Sequence, residues 1–138
     1  MKLQETVTDN IAELLVKIIE FTRHRQKILV RNINNIDTGN YEPQDLAIDE
    51  FSNIINHAID EHLENSRLML FDTDTIKFGS GGSLEIKSAA DKQSSLLLKK
   101  NKDEYLELQI SKLLENSLNQ KIAAEILRQK LLRVSEID

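Results

Sequence analysis

The sequence predicts a mainly α-helical, elongated protein whose long N- and C-terminal helices pair as a coiled coil, with a short middle helix and a small β-hairpin between them. Apolar residues recur with helical spacing over residues 7–41 and again over residues 103–134. Only 4% of the residues are aromatic, none is Trp, and 30% are charged. A core would therefore depend on Ile and Leu, which is typical of helical bundles and coiled coils.

The 138 residues have the length of one domain. We divide the chain into an N-terminal helix with its turn (residues 1–41), a middle region (residues 42–102) and a C-terminal helix (residues 103–138). The middle region is predicted to contain a helix, a hairpin and a linker.

The first helix is predicted to begin near Thr6, because Thr6 and Asp9 have the spacing of a capping box. Two adjacent apolar stripes then follow in steps of three and four residues, the spacing of a helix that packs lengthwise on another. One stripe contains Val7, Ile11, Leu14, Ile18, Phe21, Arg25 and Ile28, and the other contains Leu15, Ile19, Thr22, Gln26, Leu29, Ile33 and Ile36. Two adjacent stripes predict contact with more than one neighbour.

Arg25 interrupts the first stripe, and the sequence leaves two interpretations open. The side chain could snorkel to solvent at the edge of a helix bundle. Alternatively, it could be a polar device that fixes the register between subunits.

The helix is predicted to end where residues 32–40 become rich in Asn, Asp, Thr and Gly. Such residues hydrogen-bond their own backbone or tolerate positive φ. Gly39 is the expected left-handed residue at the helix exit. Pro43, the only proline, biases Glu42 toward extended geometry and so prevents an immediate new helix.

The middle region contains a second predicted helix, from about residue 45 or 47 to residue 65. Its apolar face consists of Ile48, Phe51, Ile54, Ile55, Ala58, Ile59 and Leu63. The structure type of the apolar run at residues 67–71 stays open. Residues 76–86 alternate weakly around Gly79, Ser80, Gly81 and Gly82, which predicts a hairpin with a four-residue loop. Residues 87–102 are polar and rich in Ser and Lys, and we interpret them as a linker or extended return.

The last predicted helix covers about residues 103–134, a rod of ~45 Å. Its apolar surface consists of Leu106, Ile110, Leu113, Leu114, Leu118, Ile122, Ile126, Leu127 and Leu131. Because steps of four residues predominate, the stripe drifts around the axis, and one straight partner cannot cover it. We expect the two terminal helices to pair antiparallel and to leave apolar surface for neighbouring subunits.

Several function classes are disfavoured by composition. The net charge of −5 argues against nucleic-acid binding, and we interpret the basic cluster at residues 23–27 as a solvated or partner-facing helix flank. No apolar run approaches the ~20 residues of a membrane span, and the N-terminus lacks the apolar segment of a signal peptide. No cysteine is present, and the histidines and paired carboxylates lack the spacing of a metal or catalytic site. We therefore expect a non-enzyme without cofactor or metal.

Residues 32–41 read Asn, Ile, Asn, Asn, Ile, Asp, Thr, Gly, Asn, Tyr. This segment resembles the N-terminal signature of the bacterial flagellar axial proteins, in which a long helix ends in Asn, Ile or Leu, Ala, Asn, Ala, Asn or Asp, Thr, Pro, Gly, Tyr. The matching residues are Asn32, Ile33, Asn35, Asp37, Thr38 and Tyr41. Asn34 and Ile36 replace Ala, and Gly39 with Asn40 replaces Pro and Gly, a change that keeps turn chemistry.

Further matches follow the signature. Asp45, Leu46 and the next amphipathic helix are similar to the Asp, Ile segment of proximal-rod subunits within that family. Residues 110–120 are similar to the Met, x, Lys, Leu, Ala, Glu, Asn, x, Leu, x, Tyr, Gln run near the C-terminus of those subunits. The resemblance covers both ends of the chain and leaves the middle unassigned.

The resemblance implies a structural subunit of the flagellar basal-body rod, the drive shaft between the membrane ring and the hook, in the part that crosses the periplasm. It implies export without cleavage by the flagellar type III apparatus. The implied partners are further copies of the chain, other rod subunits, the membrane-ring protein and the rod adaptor. The expected assembly interface contains Ile11, Leu14, Leu15, Ile18, Ile19, Arg25, Ile28, Leu29, Asn32, Asn35, Thr38, Tyr41, Leu106, Ile110, Leu113, Leu114, Leu118, Ile122, Ile126 and Leu131. The alternative from another class is a soluble coiled-coil adaptor or secretion chaperone that binds one partner helix.

Overall fold

The computed structural model describes residues 2–79 and 83–137 and is mainly helical, which confirms the predicted class. Within these two described ranges, four helices and four short strands follow one another. Their bounds are α1 Lys2–Asn34, β1 Gln44–Asp45, α2 Ile48–Asn65, β2 Ile76–Phe78, β3 Leu84–Ile86, β4 Ala89–Ala90, α3 Lys92–Lys100 and α4 Lys102–Ile137.

The helices α1 and α4 lie side by side and run in opposite directions. The Tyr105 hydroxyl donates to the carbonyl of Asn32, and the Asn116 amide donates to the carbonyl of Thr22. As the contacts move toward the C-terminus of α4, they move toward the N-terminus of α1. The two terminal helices therefore pair antiparallel, as the sequence predicts.

The apolar core lies on a different side of α1, between α1, α2 and the hairpin of β2 and β3. Its buried members are Leu14, Phe21, Leu46, Phe51, Ile54, Ile55, Ala58, Ile76 and Leu84. The rings of Phe21 and Phe51 stack with centroids 4.0 Å apart. The helix α2 is confirmed, but its predicted face is buried only as far as Ala58, since Ile59 is 36% exposed and Leu63 is 75% exposed beyond the core.

The strands form two antiparallel pairs. β2 pairs with β3, with Phe78 opposite Leu84, which confirms the predicted hairpin. Residues 79–83 connect the paired positions, so the connection is one residue longer than predicted. Residues 80–82 of the predicted loop lie outside the described residues. β1 pairs with β4 and brings the segment after α1 next to the segment before α3.

The exit from α1 differs from the prediction. Asn40, with φ of 61°, is the left-handed residue, whereas Gly39 does not have a left-handed φ and a Cβ added to it would meet no atom within 4 Å. Asn tolerates this conformation because its short polar side chain can bond locally. At the other end α1 already begins at Lys2, so the start predicted at Thr6 is wrong.

The segment predicted as a linker contains the helix α3. Asp91 caps this helix, because its carboxylate accepts from the backbone N–H of Ser94 at 3.2 Å and from the Ser94 hydroxyl at 2.6 Å. Asn101 then breaks the helix in an extended conformation and caps α4 through the N–H groups of Asp103 and Glu104. The prediction failed because short helices with little apolar periodicity depend on such caps.

Candidate functional site

The face that α4 turns toward α1 is polar or small. Tyr105, Gln109, Asn116 and Ala123 are buried there, and their spacings of four, seven and seven residues place them on one side of the helix. The sequence interpretation expected the Ile and Leu stripe to carry the apolar contact. Polar residues with the same helical period at positions 105, 109, 112 and 116 were the available signal, and they were missed.

Of the predicted apolar residues of α4, Leu106, Leu113 and Leu127 are half-buried and the others are exposed. We call the five exposed residues at steps of four the α4 stripe, and their exposed fractions are Ile110 42%, Leu114 66%, Leu118 58%, Ile122 49% and Ile126 42%. A step of four residues turns about 40° beyond a full helical turn. The α4 stripe therefore crosses the outer side of the helix diagonally, and Leu131 at 59% and Leu132 at 49% add exposed apolar surface toward its end.

The predicted interface residues fall into two groups. Those on α1 serve the chain's own packing: Leu14, Leu15, Arg25, Leu29 and Asn32 are buried, and Ile11, Ile18, Ile19 and Ile28 are half-buried. Asn35 and Tyr41 in the following turn are half-buried, and Thr38 is exposed. On α4, Leu106 and Leu113 are half-buried, whereas Ile110, Leu114, Leu118, Ile122, Ile126 and Leu131 are exposed. Only the α4 group leaves a continuous apolar surface uncovered.

Asn32 is the centre of the polar contacts. Its amide nitrogen donates to the carbonyl of Gln44 at 2.8 Å and to Oε1 of Gln109 at 2.9 Å. Its amide oxygen accepts from the Tyr41 hydroxyl at 2.7 Å and from the backbone N–H of Gln44 at 3.1 Å. All four hydrogen-bonding positions of the side chain are thus used, and the residue is fully buried. Asn32 joins α1, the turn, β1 and α4.

The turn after α1 is fixed by its own side chains. The Asn35 amide donates to the carbonyl of Arg31 at 2.8 Å, and the Thr38 hydroxyl donates to Oδ1 of Asn35 at 3.0 Å. The backbone N–H of Tyr41 donates to the carbonyl of Thr38 at 3.3 Å. Asn32, Asn35, Thr38 and Tyr41 therefore lie close together as one hydrogen-bonded unit.

A second set of polar contacts extends from Gln109. Its amide donates to the buried hydroxyl of Ser94, and that hydroxyl donates to Asp91. Lys112 then bridges two carboxylates, with Nζ 2.6 Å from Asp91 and 3.0 Å from Asp45. The hydrogen bonds consequently continue from Asn32 through α4 and α3 to β1.

Asp45 also forms a bidentate ion pair with Arg25. The guanidinium Nε and Nη2 donate to the two carboxylate oxygens at 2.9 and 3.1 Å. Burial alone would raise the pKa of Asp45, but the hydrogen bonds and charges of Arg25 and Lys112 outweigh it and lower the pKa. Arg25 is only 4% exposed. It therefore does not snorkel, and its partner lies within the same chain, a pairing that neither sequence interpretation included.

The two tyrosines give a test of this packing. Burial raises the pKa of Tyr105 to about 12, and Tyr41 and Asp91 add to the shift. Burial also raises the pKa of Tyr41, although the positive charge of Arg31 lowers it by a smaller amount. Since both phenols are harder to ionise in the folded chain, their contribution to stability is complete below pH ~10 and is lost as pH rises through the folded values.

We expect the folded Tyr41→Phe variant to show a single tyrosinate absorbance transition, from Tyr105, clearly above pH ~10, because burial still raises the pKa of Tyr105 and only the smaller effect of Tyr41 is lost. The same variant in urea is the control, because its phenol should titrate near pH ~10. A folded transition at the value found in urea would contradict the burial of the Tyr105 hydroxyl against α1. The chain has two Tyr and no Trp, so no other side chain obscures the signal.

A groove of about 390 Å³ lies between α2 and α4 and is floored by α1. Its apolar lining includes Phe51 and Ile55 from α2 and Ile122 and Ile126 from α4. Arg25, already paired with Asp45, and Glu115 are the charged residues of the lining. Two members of the α4 stripe thus form one wall of the groove.

Within residues 2–79 and 83–137, no helix is long and apolar enough to cross a membrane, and no cluster of three His, Asp or Glu side chains is arranged to hold a metal ion. Comparison of the chain with models of protein families, with curated proteins and with solved structures finds no match. The functional inference therefore depends on the residues themselves.

Proposed function

We propose that this chain is a structural subunit of the bacterial flagellar basal-body rod, of the B-type proximal-rod kind. It polymerises through its terminal helices into the shaft that transmits torque. The observation that carries the proposal is the α4 stripe, a diagonal row of exposed Ile and Leu side chains on a helix whose opposite face is already occupied. A lone molecule leaves this surface in water, and association with further subunits would remove it.

The flagellar-like signature supports the same function. Asn32 and its turn fix the end of α1 against β1 and α4, so the two terminal helices are held in one register before assembly. We further propose that α1 and α4 wind as a coiled coil within the rod. Torque then passes through helix packing that a screw symmetry repeats along the shaft.

The proposed location is the rod where it crosses the periplasm. The subunit reaches it through the flagellar type III export apparatus without cleavage. There it contacts copies of itself, other rod subunits, the membrane-ring protein and the rod adaptor. The protein acts mechanically, so the proposal includes no catalytic residue, cofactor or metal.

We expect Leu118→Glu to prevent incorporation of the chain into basal bodies, because assembly would bury an unpaired carboxylate at the centre of the α4 stripe. The free energy of unfolding of the monomer should change by less than about 0.5 kcal/mol, since the residue is exposed. Mass spectrometry of purified basal bodies measures incorporation, motility assays measure its consequence, and urea unfolding measures the stability of the monomer.

Ala124→Glu is the matched control, because it adds the same charge at an exposed position of α4 outside the stripe. We expect this variant to be incorporated in several copies per basal body and to support motility. If both variants assemble equally, or if the chain is absent from the rod, the proposal fails.

The groove between α2 and α4 favours one alternative. A coiled-coil adaptor or secretion chaperone would bind a single partner helix in such a groove. The two functions differ in stoichiometry. A saturable one-to-one complex with a partner, without incorporation into a shaft, would favour the adaptor.

A further inference from the structure

The groove between α2 and α4 has a mainly apolar lining, and we call it the acceptor. It is open along one side, its floor contains Leu15 and Ile18, and its walls contribute Phe51, Ile55, Ile122 and Ile126. An amphipathic helix that enters such a groove is held by apolar anchors at helical spacing. The exposed rim consists of small or amide side chains, Ser52, Asn56 and Asn119, together with one charge, Glu115.

The N-terminal half of the α4 stripe is a donor of the matching kind. Ile110, Leu114 and Leu118 recur every four residues on the outer side of α4, and each is more than 40% exposed. These three residues do not line the groove of their own chain. The chain therefore carries an apolar acceptor and an apolar donor at separate places.

The charges beside the donor favour one occupant. Lys121 is exposed and follows Leu118 by three residues, so it lies beside Leu118 on the helix surface, whereas Glu115, three residues before Leu118, lines the groove of its own chain. Docking of the donor half brings Lys121 toward the groove rim, where Glu115 is the exposed charge. An occupant that supplies apolar anchors and one flanking cation fits this rim, and α4 of a second copy supplies both.

We propose that Ile110, Leu114 and Leu118 of one copy dock in the α2–α4 groove of the next copy, with Lys121 opposite Glu115. This inference rests on the proposed function, because it assumes that copies of the chain associate. Donor and acceptor are different surfaces, so the contact is heterologous. Each added copy then presents a fresh groove at one end and a fresh α4 stripe at the other, and growth continues without closing.

Cysteine cross-linking of the purified full-length chain tests the contact, because the natural sequence has no cysteine. Ser52→Cys marks the groove and Leu118→Cys marks the donor, and both positions are exposed. We expect the two variants, mixed and oxidised, to form a mixed disulfide dimer in preference to either homodimer. Ala124→Cys replaces Leu118→Cys as the control, and it should give little mixed dimer with Ser52→Cys. Circular dichroism verifies that each variant is folded.

Charge reversal gives an independent readout by sedimentation. Glu115→Lys alone and Lys121→Glu alone should each weaken self-association roughly three-fold, the strength of one exposed ion pair. The variant that carries both changes should regain the affinity of the natural chain. Failure of the double variant to recover would overturn the contact between these two residues.

The outcomes separate this inference from the proposed function. Leu118→Cys homodimers as the main product would show that the α4 stripes of two copies contact each other symmetrically. A chain that is monomeric at every concentration would show that copies do not associate. Either result overturns the inference. Incorporation into rods without the mixed disulfide would keep the proposed function and reject the groove. The mixed disulfide without incorporation into rods would keep the groove contact and reject the proposed function.

Discussion

Replacing Asn32 with Asp will lower the free energy of unfolding by about 3–5 kcal/mol, since it disrupts a buried polar network and buries an unpaired charge. The natural amide donates to the carbonyl of Gln44 and to Oε1 of Gln109. A carboxylate of nearly the same shape would place an oxygen against these two acceptors at a fully buried position. Urea unfolding followed by circular dichroism measures the loss.

Asn34→Asp is the control, because it makes the same chemical change two residues away at an exposed position. An added negative charge near the C-terminal end of α1 should cost no more than about 1 kcal/mol. Equal urea midpoints for the two variants would mean that Asn32 is not the centre of the polar contacts.

Asp45→Asn is expected to cost about 2–4 kcal/mol, because it leaves the buried guanidinium of Arg25 without its carboxylate. Lys112 keeps Asp91 as a partner, which limits the loss. Asp60→Asn is the control at an exposed carboxylate of α2, with an expected change of less than about 0.5 kcal/mol. Urea unfolding near neutral pH compares the two variants. A control that loses as much as Asp45→Asn would indicate a general effect of removing negative charge.

The same residue predicts how stability depends on pH. The pKa of Asp45 is lowered by Arg25 and Lys112 against the effect of burial, and the pKa of Asp91 is lowered by Lys112 and Ser94 against the same effect. A lowered pKa means that the unfolded chain takes up protons first, so this stability is present above pH ~4 and is lost as pH falls through the folded values. The loss of stability below pH ~5 should be shallower in Asp45→Asn than in the natural chain. Identical slopes would contradict a role for Asp45 in acid unfolding.

Much of the fold can be predicted from the sequence, because apolar periodicity reports directly on helices that bury one face. This signal locates α1 and α2, which bury such a face, and it also locates α4, although the α4 stripe is exposed. The glycines near residue 80 locate the hairpin. It fails for α3, because the apolar residues Leu96, Leu97 and Leu98 are consecutive over only nine helical residues, and the start of the helix depends on the cap that Asp91 provides for Ser94. It also fails for the exit from α1, where Asn40 rather than Gly39 takes the left-handed conformation.

The candidate site is harder to predict for a physical reason. Hydrophobic patterning assigns buried faces to Ile and Leu, whereas α4 meets α1 through Tyr105, Gln109 and Asn116. Two of these three bond to main-chain carbonyls, of Asn32 and Thr22, which carry no side-chain signature in the sequence. Because polar residues occupy the face of α4 that meets α1, the Ile and Leu residues of the α4 stripe remain exposed. The polar residues at positions 105, 109, 112 and 116 recur with helical spacing, and this pattern would have indicated that a polar face of α4 is buried.

The hydrogen bonds between α1 and α4 also oppose sliding of one helix along the other. Apolar side chains tolerate displacement along a neighbour, because dispersion has little directional preference. Hydrogen bonds lose their strength steeply when donor and acceptor are misaligned. A shift of one helix by a single residue would separate Asn32 from Gln109 and Asn116 from Thr22 at the same time. Hydrogen bonding therefore opposes axial shear between α1 and α4, as the shaft proposed above would require.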